Sequence, residues 1–197
     1  VTEEGEGASA TPLEPWESTT SVPLSPGIHN PSLSEDSSIL TGDQVRSIVT
    51  ALPARCRLCN WRLEYSSRRD GISLRSLYRA AMGKNECVLV VRDTAGHSFG
   101  AFTTETWKVA PRYYGNGESF VFTVEPRCVA YRWSQKNDYF MFGRGNCLAV
   151  GGGCGFALWL DEELLHGNSG ESDTFDNRCL ASGNEFEIVY VELWSFE

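Results

Sequence analysis

Gly151-Gly152-Gly153-Cys154-Gly155-Phe156-Ala157-Leu158-Trp159-Leu160-Asp161 sets four glycines within five residues, directly before an apolar run that closes on an acid. A chain of this kind must turn tightly and then enter the interior. A phosphate-cradling loop needs a helix after it, so that free amides and the helix dipole face the anion. Phe156 to Leu160 is instead short, aromatic and aliphatic, which reads as a buried strand, and the glycine spacing departs from the dinucleotide pattern. Gly151, Gly152, Gly153 and Gly155 are therefore expected to form a structural loop that lets another segment pack against bare backbone. On that reading Gly152→Val destabilises the fold by about 1 to 3 kcal/mol.

The sequence before this loop has the same strand character. Cys87 to Val91 is a continuous apolar run, Asp93-Thr94-Ala95-Gly96 is turn chemistry, and His97 to Thr103 returns as a hairpin partner. Phe120 to Val124, Cys128 to Trp133, Tyr139 to Phe142 and Phe186 to Trp194 are further strands, and Trp61, Leu63 and Tyr65 alternate with polar residues as a strand does. Two helices precede the strand-rich part. Thr41 with Gln44 forms a capping box ahead of Val45, Ile48, Val49 and Leu52, and Pro53 stops that run. Ser73 caps a second helix with Leu74, Leu77, Tyr78 and Ala81 on one face, leaving Arg75 and Arg79 together on the outward face. The elements describe an α+β domain: a two-layer antiparallel β-sandwich flanked by helices, because aromatics occupy both parities of several strands.

A length of 197 residues fits one domain. The net charge of −9 is unevenly distributed. Residues 1–36 hold seven acids and no Lys or Arg, are rich in Ser, Thr, Pro and Gly, and read as a disordered acidic leader with one aromatic, Trp16. Residues 37–197 form the folded domain, at −2. Without a sustained basic stripe it is not expected to bind nucleic acid. The arginine-rich part, residues 37–92, carries ten basic and four acidic side chains and suits an acidic protein partner. No apolar run approaches the ~18 residues of a membrane span, and no signal core opens the chain. Seven cysteines among apolar residues fit reduced thiols in the cytoplasm. The chain is expected to be a cytoplasmic monomer.

Catalytic chemistry finds little to work with. His29, His97 and His166 are the three histidines, no Gly-x-Ser-x-Gly elbow occurs, and His166-Gly167-Asn168-Ser169 reads as a turn without a placed partner. Asp161-Glu162-Glu163 reads as a solvated turn. Glu118 lies in a glycine-bounded loop beside a strand, where its carboxylate either acts as an acid or base or bonds loop amides. Cys56 and Cys59 have CxxC spacing without a second ligand pair, so no metal and no cofactor are expected. If a thiol is reactive, Cys56 between Arg55 and Arg57 is the first candidate and Cys154 the second.

Several separated segments together resemble the TLDc family. They are Gly71-Ile72-Ser73-Leu74 with Leu77-Tyr78-Arg79, Phe99-Gly100-Ala101, Tyr114 to Phe122, Gly151 to Gly153, Gly155 to Asp161, His166-Gly167 with Ser169, Thr174 to Asn177, and Glu192 to Glu197. Relatives often carry a glycine at the position of Cys154. The resemblance implies a two-sheet β-sandwich with flanking helices and a non-enzymatic role in resistance to oxidative stress. It also implies binding to the soluble sector of the vacuolar proton-pumping ATPase and modulation of that pump, and hence recruitment to the cytosolic face of acidic organelles. Arg75 and Arg79 are the partner-binding candidates. The alternative is a thiol-based antioxidant or a hydrolytic enzyme built on Cys56, Glu118 or His166.

Overall fold

The computed structural model describes residue 14 and residues 17–197; Trp16 lies outside the described part, as do residues 1–13 and 15. The elements in chain order are β1 (Ser21–Pro23), α1 (Gly42–Ala51), β2 (Trp61–Ser66), α2 (Ser67–Asp70), α3 (Leu74–Ala80), β3 (Cys87–Asp93), β4 (Ser98–Thr103), β5 (Phe120–Glu125), β6 (Val129–Tyr131), β7 (Met141–Gly143), β8 (Cys147–Val150), β9 (Leu158–Asp161), β10 (His166–Asn168) and β11 (Glu185–Phe196). The described strands pair antiparallel in the order β1-β6-β5-β4-β3-β11-β10-β9-β8-β7, and β2 also pairs with β11. β11 belongs to both layers. Its first residues, Glu185 to Glu187, pair with β10, whereas Ile188 to Ser195 pair with β3.

Side-chain alternation explains why β3 has no polar face. Cys87, Leu89 and Val91 point into the space between the layers, where they join Phe99, Ala101, Val121, Met141, Leu148, Val150, Leu158, Leu160, Val191 and Leu193. Val88 and Val90 point the other way, and with Phe102, Phe120, Phe122 and Trp194 they meet Val45, Ile48, Val49 and Leu52 of α1. One layer is thus buried on both sides, which demands a continuous apolar run. Each large side chain so buried contributes about 1.5 to 3 kcal/mol. The α+β sandwich read from the sequence is the fold.

Local signals set the helix ends with unequal success. Thr41 Oγ1 accepts from Gln44 N at 3.3 Å while Gln44 Oε1 accepts from Thr41 N at 2.9 Å, closing the capping box of α1. Ser73 stands at the N-cap of α3 but makes no side-chain cap. Leu74 N donates instead to Glu162 O at 2.9 Å, so the turn after β9 closes this helix from across the fold. β1, α2, β8 and β10 are additions to the expected elements. Among the described residues no helix is long and apolar enough to cross a membrane.

Residues 17–36 differ from the disordered leader that their composition suggests. Thr19 and Thr20 donate hydroxyl hydrogen bonds to the Asp176 carboxylate and the Phe175 carbonyl. β1 pairs with the outer edge of β6, Leu24 N donates to Cys128 O at 2.9 Å, and Gly27 N donates to Arg46 O at 3.3 Å. Ser34 N then reaches Trp61 O at 2.9 Å. The segment lies along the domain as a strap held by backbone and hydroxyl hydrogen bonds to sheet edges, an interaction that composition does not register. Just beyond it, Ser37 Oγ and Ser38 N donate to the Glu192 carboxylate at 2.6 and 2.7 Å, and Trp194 Nε1 donates to it at 3.1 Å. Glu192 is 1 % exposed.

Candidate functional site

The glycine loop between β8 and β9 is covered by residues 170–177. Gly151 and Gly153 have φ of 77° and 108°, left-handed values that favour glycine. Gly152 N donates to Thr174 Oγ1 at 2.9 Å, Asp173 N donates to Gly152 O at 3.0 Å, and Cys154 N donates to Asp173 Oδ2 at 3.0 Å. A Cβ on Gly153 would lie 2.1 Å from Asp173 Oδ2, and one on Gly155 would lie 2.8 Å from Glu171 O. The amides of Gly151, Gly152 and Cys154 are all occupied by the protein itself, and a strand follows instead of a helix. This geometry does not make a phosphate cradle.

Beside the loop lies a cluster the sequence does not announce. Tyr113 stacks on Tyr139 with ring centroids 4.5 Å apart and leans on Phe142 at 5.1 Å, while Arg144 lies 4.8 Å over the Phe142 ring. With Pro111, Arg112 and Asp138 these rings line a shallow groove of about 480 Å³. The groove exists because the Tyr114–Met141 bridge brings the loop before β5 against β7. An exposed Tyr139 and a half-buried Tyr113 next to arginines are typical of protein contact surfaces.

The arginine face lies on α3, where Arg75 and Arg79 are exposed with no carboxylate partner among the described residues. Ile72 is 50 % exposed and Met82 71 % exposed at the two ends of the helix. Arg75 and Arg79, four residues apart within α3, share one helix face, while Ile72 lies before the N-cap and Met82 in the turn that follows the helix.

The catalytic candidates are not brought together. Glu118 is a surface ion-pair partner: Arg55 Nη2 and Nη1 lie 2.5 and 2.8 Å from its two oxygens, and this guanidinium holds its carboxyl below the usual carboxylate range. His166 Nδ1 lies 3.1 Å from Asp161 Oδ2, but Asp161 also accepts from Leu165 N and His166 N as the cap of its turn. The neighbouring Ser169 is fully buried, donates to Ala157 O at 2.7 Å and accepts from Leu180 N, so its hydroxyl is directed into the fold. The ring of His166 faces a groove of about 570 Å³ with Trp159, Asn168, Glu185 and Glu187, which holds no serine or cysteine in hydrogen-bond contact with it.

Cys56 requires a correction. Its flanking arginines suggest an activated thiolate, yet Cys56 is 3 % exposed and burial pushes its thiol up to about 11. Arg55 turns to Glu86 and Glu118, and Arg57 donates through Nε to Leu52 O at 2.7 Å. Cys87 is pushed up to about 12 for the same reason. Cys154 is the exposed thiol, with Sγ 3.3 Å from Glu171 O. Among the described residues no group of His, Cys, Asp or Glu could hold a metal ion. With a pKa near 11, roughly one Cys56 thiol in a thousand is ionised at pH 8. Native-state alkylation followed by peptide mass mapping should therefore label Cys154 first, with the Cys56 rate rising as pH approaches 11. Equal labelling of both at pH 8 would contradict this burial.

Two sheets share β11, residues 170–177 clamp the glycine loop, and buried Glu192 holds residues 37 and 38. Residues 33–197 match the TLDc domain, and the chain belongs to the TLDc family. Among its relatives, human Oxidation resistance protein 1 is 42 % identical over 169 residues, which cover 85 % of this chain and 19 % of that protein. The rat protein of the same name is 41 % identical over 176 residues, 88 % of this chain and 21 % of its own length. Chicken Nuclear receptor coactivator 7 is 39 % identical over 169 residues, 85 % of this chain and 19 % of its own. The chain thus spans about one fifth of the length of these curated relatives.

Proposed function

We propose that this TLDc domain is a non-enzymatic interaction module that binds the soluble sector of the vacuolar proton-pumping ATPase on its cytosolic side and so contributes to oxidative-stress resistance. The stress role is supported by kinship with proteins named for oxidation resistance. The pump as partner comes from the family resemblance. The observation that carries the interaction reading is the outward face of α3, where exposed Arg75 and Arg79 have no carboxylate partner among the described residues and exposed Ile72 and Met82 flank the helix. Unpaired guanidinium groups beside apolar side chains meet an acidic surface with little rearrangement, and they give attraction at long range as well as contact.

The test is co-purification of the full chain with the isolated soluble sector, in parallel with the Arg75→Glu/Arg79→Glu double variant. The variant should bind about tenfold more weakly at low salt, a change of ~1.4 kcal/mol, and should lose most of the salt dependence of the wild type. Wild type that fails to co-purify would overturn the module reading for this pump. Wild type and variant that bind alike at low salt would remove α3 from the interface.

A further inference from the structure

We infer that Ser25 is a phosphorylation site for a proline-directed serine kinase. It lies in Pro23-Leu24-Ser25-Pro26, with a proline immediately after the hydroxyl residue and another two positions before it. Pro26 presents no N–H and biases Ser25 towards extended backbone, which is the form in which a peptide lies in a kinase cleft beside a pocket that offers the next residue no acceptor. The strap presents this sequence accordingly. Residues 24–27 have no regular secondary structure, and Ser25 and Pro26 are exposed.

The hydroxyls on the strap separate into two kinds. Those of Ser18, Thr19, Thr20, Ser21 and Ser34 all take part in hydrogen bonds with the domain or with one another. The hydroxyls of Ser32 and Ser25 make none among the described residues, and of the two only Ser25 precedes a proline. The backbone of Ser25 is equally unencumbered, because the anchors fall on either side of it, at Leu24 N to Cys128 O and Gly27 N to Arg46 O. A kinase can therefore reach the hydroxyl without breaking a bond of the fold. The Ser25 oxygen attacks the γ-phosphorus of Mg-ATP, the bond to the bridging oxygen breaks, ADP departs, and the hydroxyl proton passes to the kinase's catalytic carboxylate.

The product gains about −1.5 to −2 of charge at one point on the strap. Arginines stand on both anchoring elements: Arg46 provides the carbonyl that holds Gly27, and Arg127 precedes the Cys128 that holds Leu24. What changes is the surface charge that the strap presents beside its anchors on Cys128 and Arg46.

The experiment incubates the folded full chain with Mg-ATP and a proline-directed kinase of the cyclin-dependent or mitogen-activated type, and maps the phosphate by peptide mass analysis. Wild type should carry it on Ser25. Pro26→Ala should lower the initial rate about tenfold or more, as expected when a contact specific to the transition state is lost. Ser25→Ala should abolish labelling at this position and melt like wild type. Phosphate found on Thr11, which also precedes a proline, with none on Ser25 would overturn the inference. So would labelling of Ser25 that appears only after heat unfolding, or a Pro26→Ala rate equal to wild type.

Discussion

Gly100→Ala is expected to destabilise the domain by about 3 kcal/mol or more, lowering the melting temperature on the order of 10 °C for a chain of this size. Gly100 lies in β4 between Val90 of β3 and Phe122 of β5. A Cβ there would sit 1.9 Å from the Leu89 carbonyl oxygen and 3.1 Å from Phe122 Cζ. The first neighbour is backbone within a paired strand, so it cannot move without disturbing the pairing of β3 with both β4 and β11. Gly152→Val belongs lower on the same scale, about 1 to 3 kcal/mol, because its Cβ would meet Tyr113 Oη and Tyr139 Cβ at 2.9 Å, side-chain atoms outside the paired strands, the first of them at the free end of its side chain. Gly42→Ala supplies the control. Nothing lies within 4 Å of its Cβ, and alanine at the start of α1 should be neutral or stabilising by up to about 1 kcal/mol. Urea titration of the three variants checks the order; a Gly100→Ala protein as stable as Gly42→Ala would show that β3 and β4 are not packed at this distance.

Glu192→Ala is expected to cost about 3 kcal/mol, from three donors left without their acceptor and a small cavity. Ser38 N and Trp194 Nε1 would lose their partner inside the fold, and Ser37 Oγ would keep only its role as acceptor from Ile39 N and Leu40 N. The loss also frees the chain that leads into α1, so hydrogen exchange should accelerate at residues 37 to 41 before it does so in β3. Glu192→Gln separates shape from chemistry. Its amide keeps one acceptor oxygen but turns a donor towards the other site, so its stability should fall between wild type and alanine. A wild-type exchange pattern in Glu192→Ala would show that this carboxylate does not secure the segment.

Where a signal is local, the sequence expresses it directly. Thr41 and Gln44 are three residues apart and cap each other, and the apolar run at Cys87 reports burial on both faces because every second residue has a different layer to meet. His166-Gly167-Asn168 reads as a turn because it has no apolar alternation; it is a strand because Leu160 and Trp159 lie on one side of it and Glu187 to Glu185 on the other. Residues 147–150 are apolar but only four long, too short to separate from a loop between glycines without their partners in β7 and β9. The candidate surfaces divide in the same way. Arg75 and Arg79 follow from helical period, whereas Tyr113, Tyr139 and Phe142 become a cluster only through the pairing of distant segments. Arg55 illustrates the limit most clearly: adjacent in sequence to Cys56, it is engaged by Glu86 and Glu118, so chain proximity predicts activation of a thiol that burial suppresses.

β11 comes after every other strand in the chain, yet it pairs with β2, β3 and β10 and is the join between the two layers. During synthesis, β2 and β3 leave the ribosome about a hundred residues before the strand that must lie between them. Until it arrives, β3 has only β4 on one side, and the apolar faces of both layers lack the strand that connects them. At ~5 to 20 residues per second this leaves an interval of roughly 5 to 20 seconds in which open strand edges are exposed to other chains. The nascent domain is therefore a natural client for chaperones, and loss of residues in β11 should affect the yield of folded protein more than loss of an equal number elsewhere.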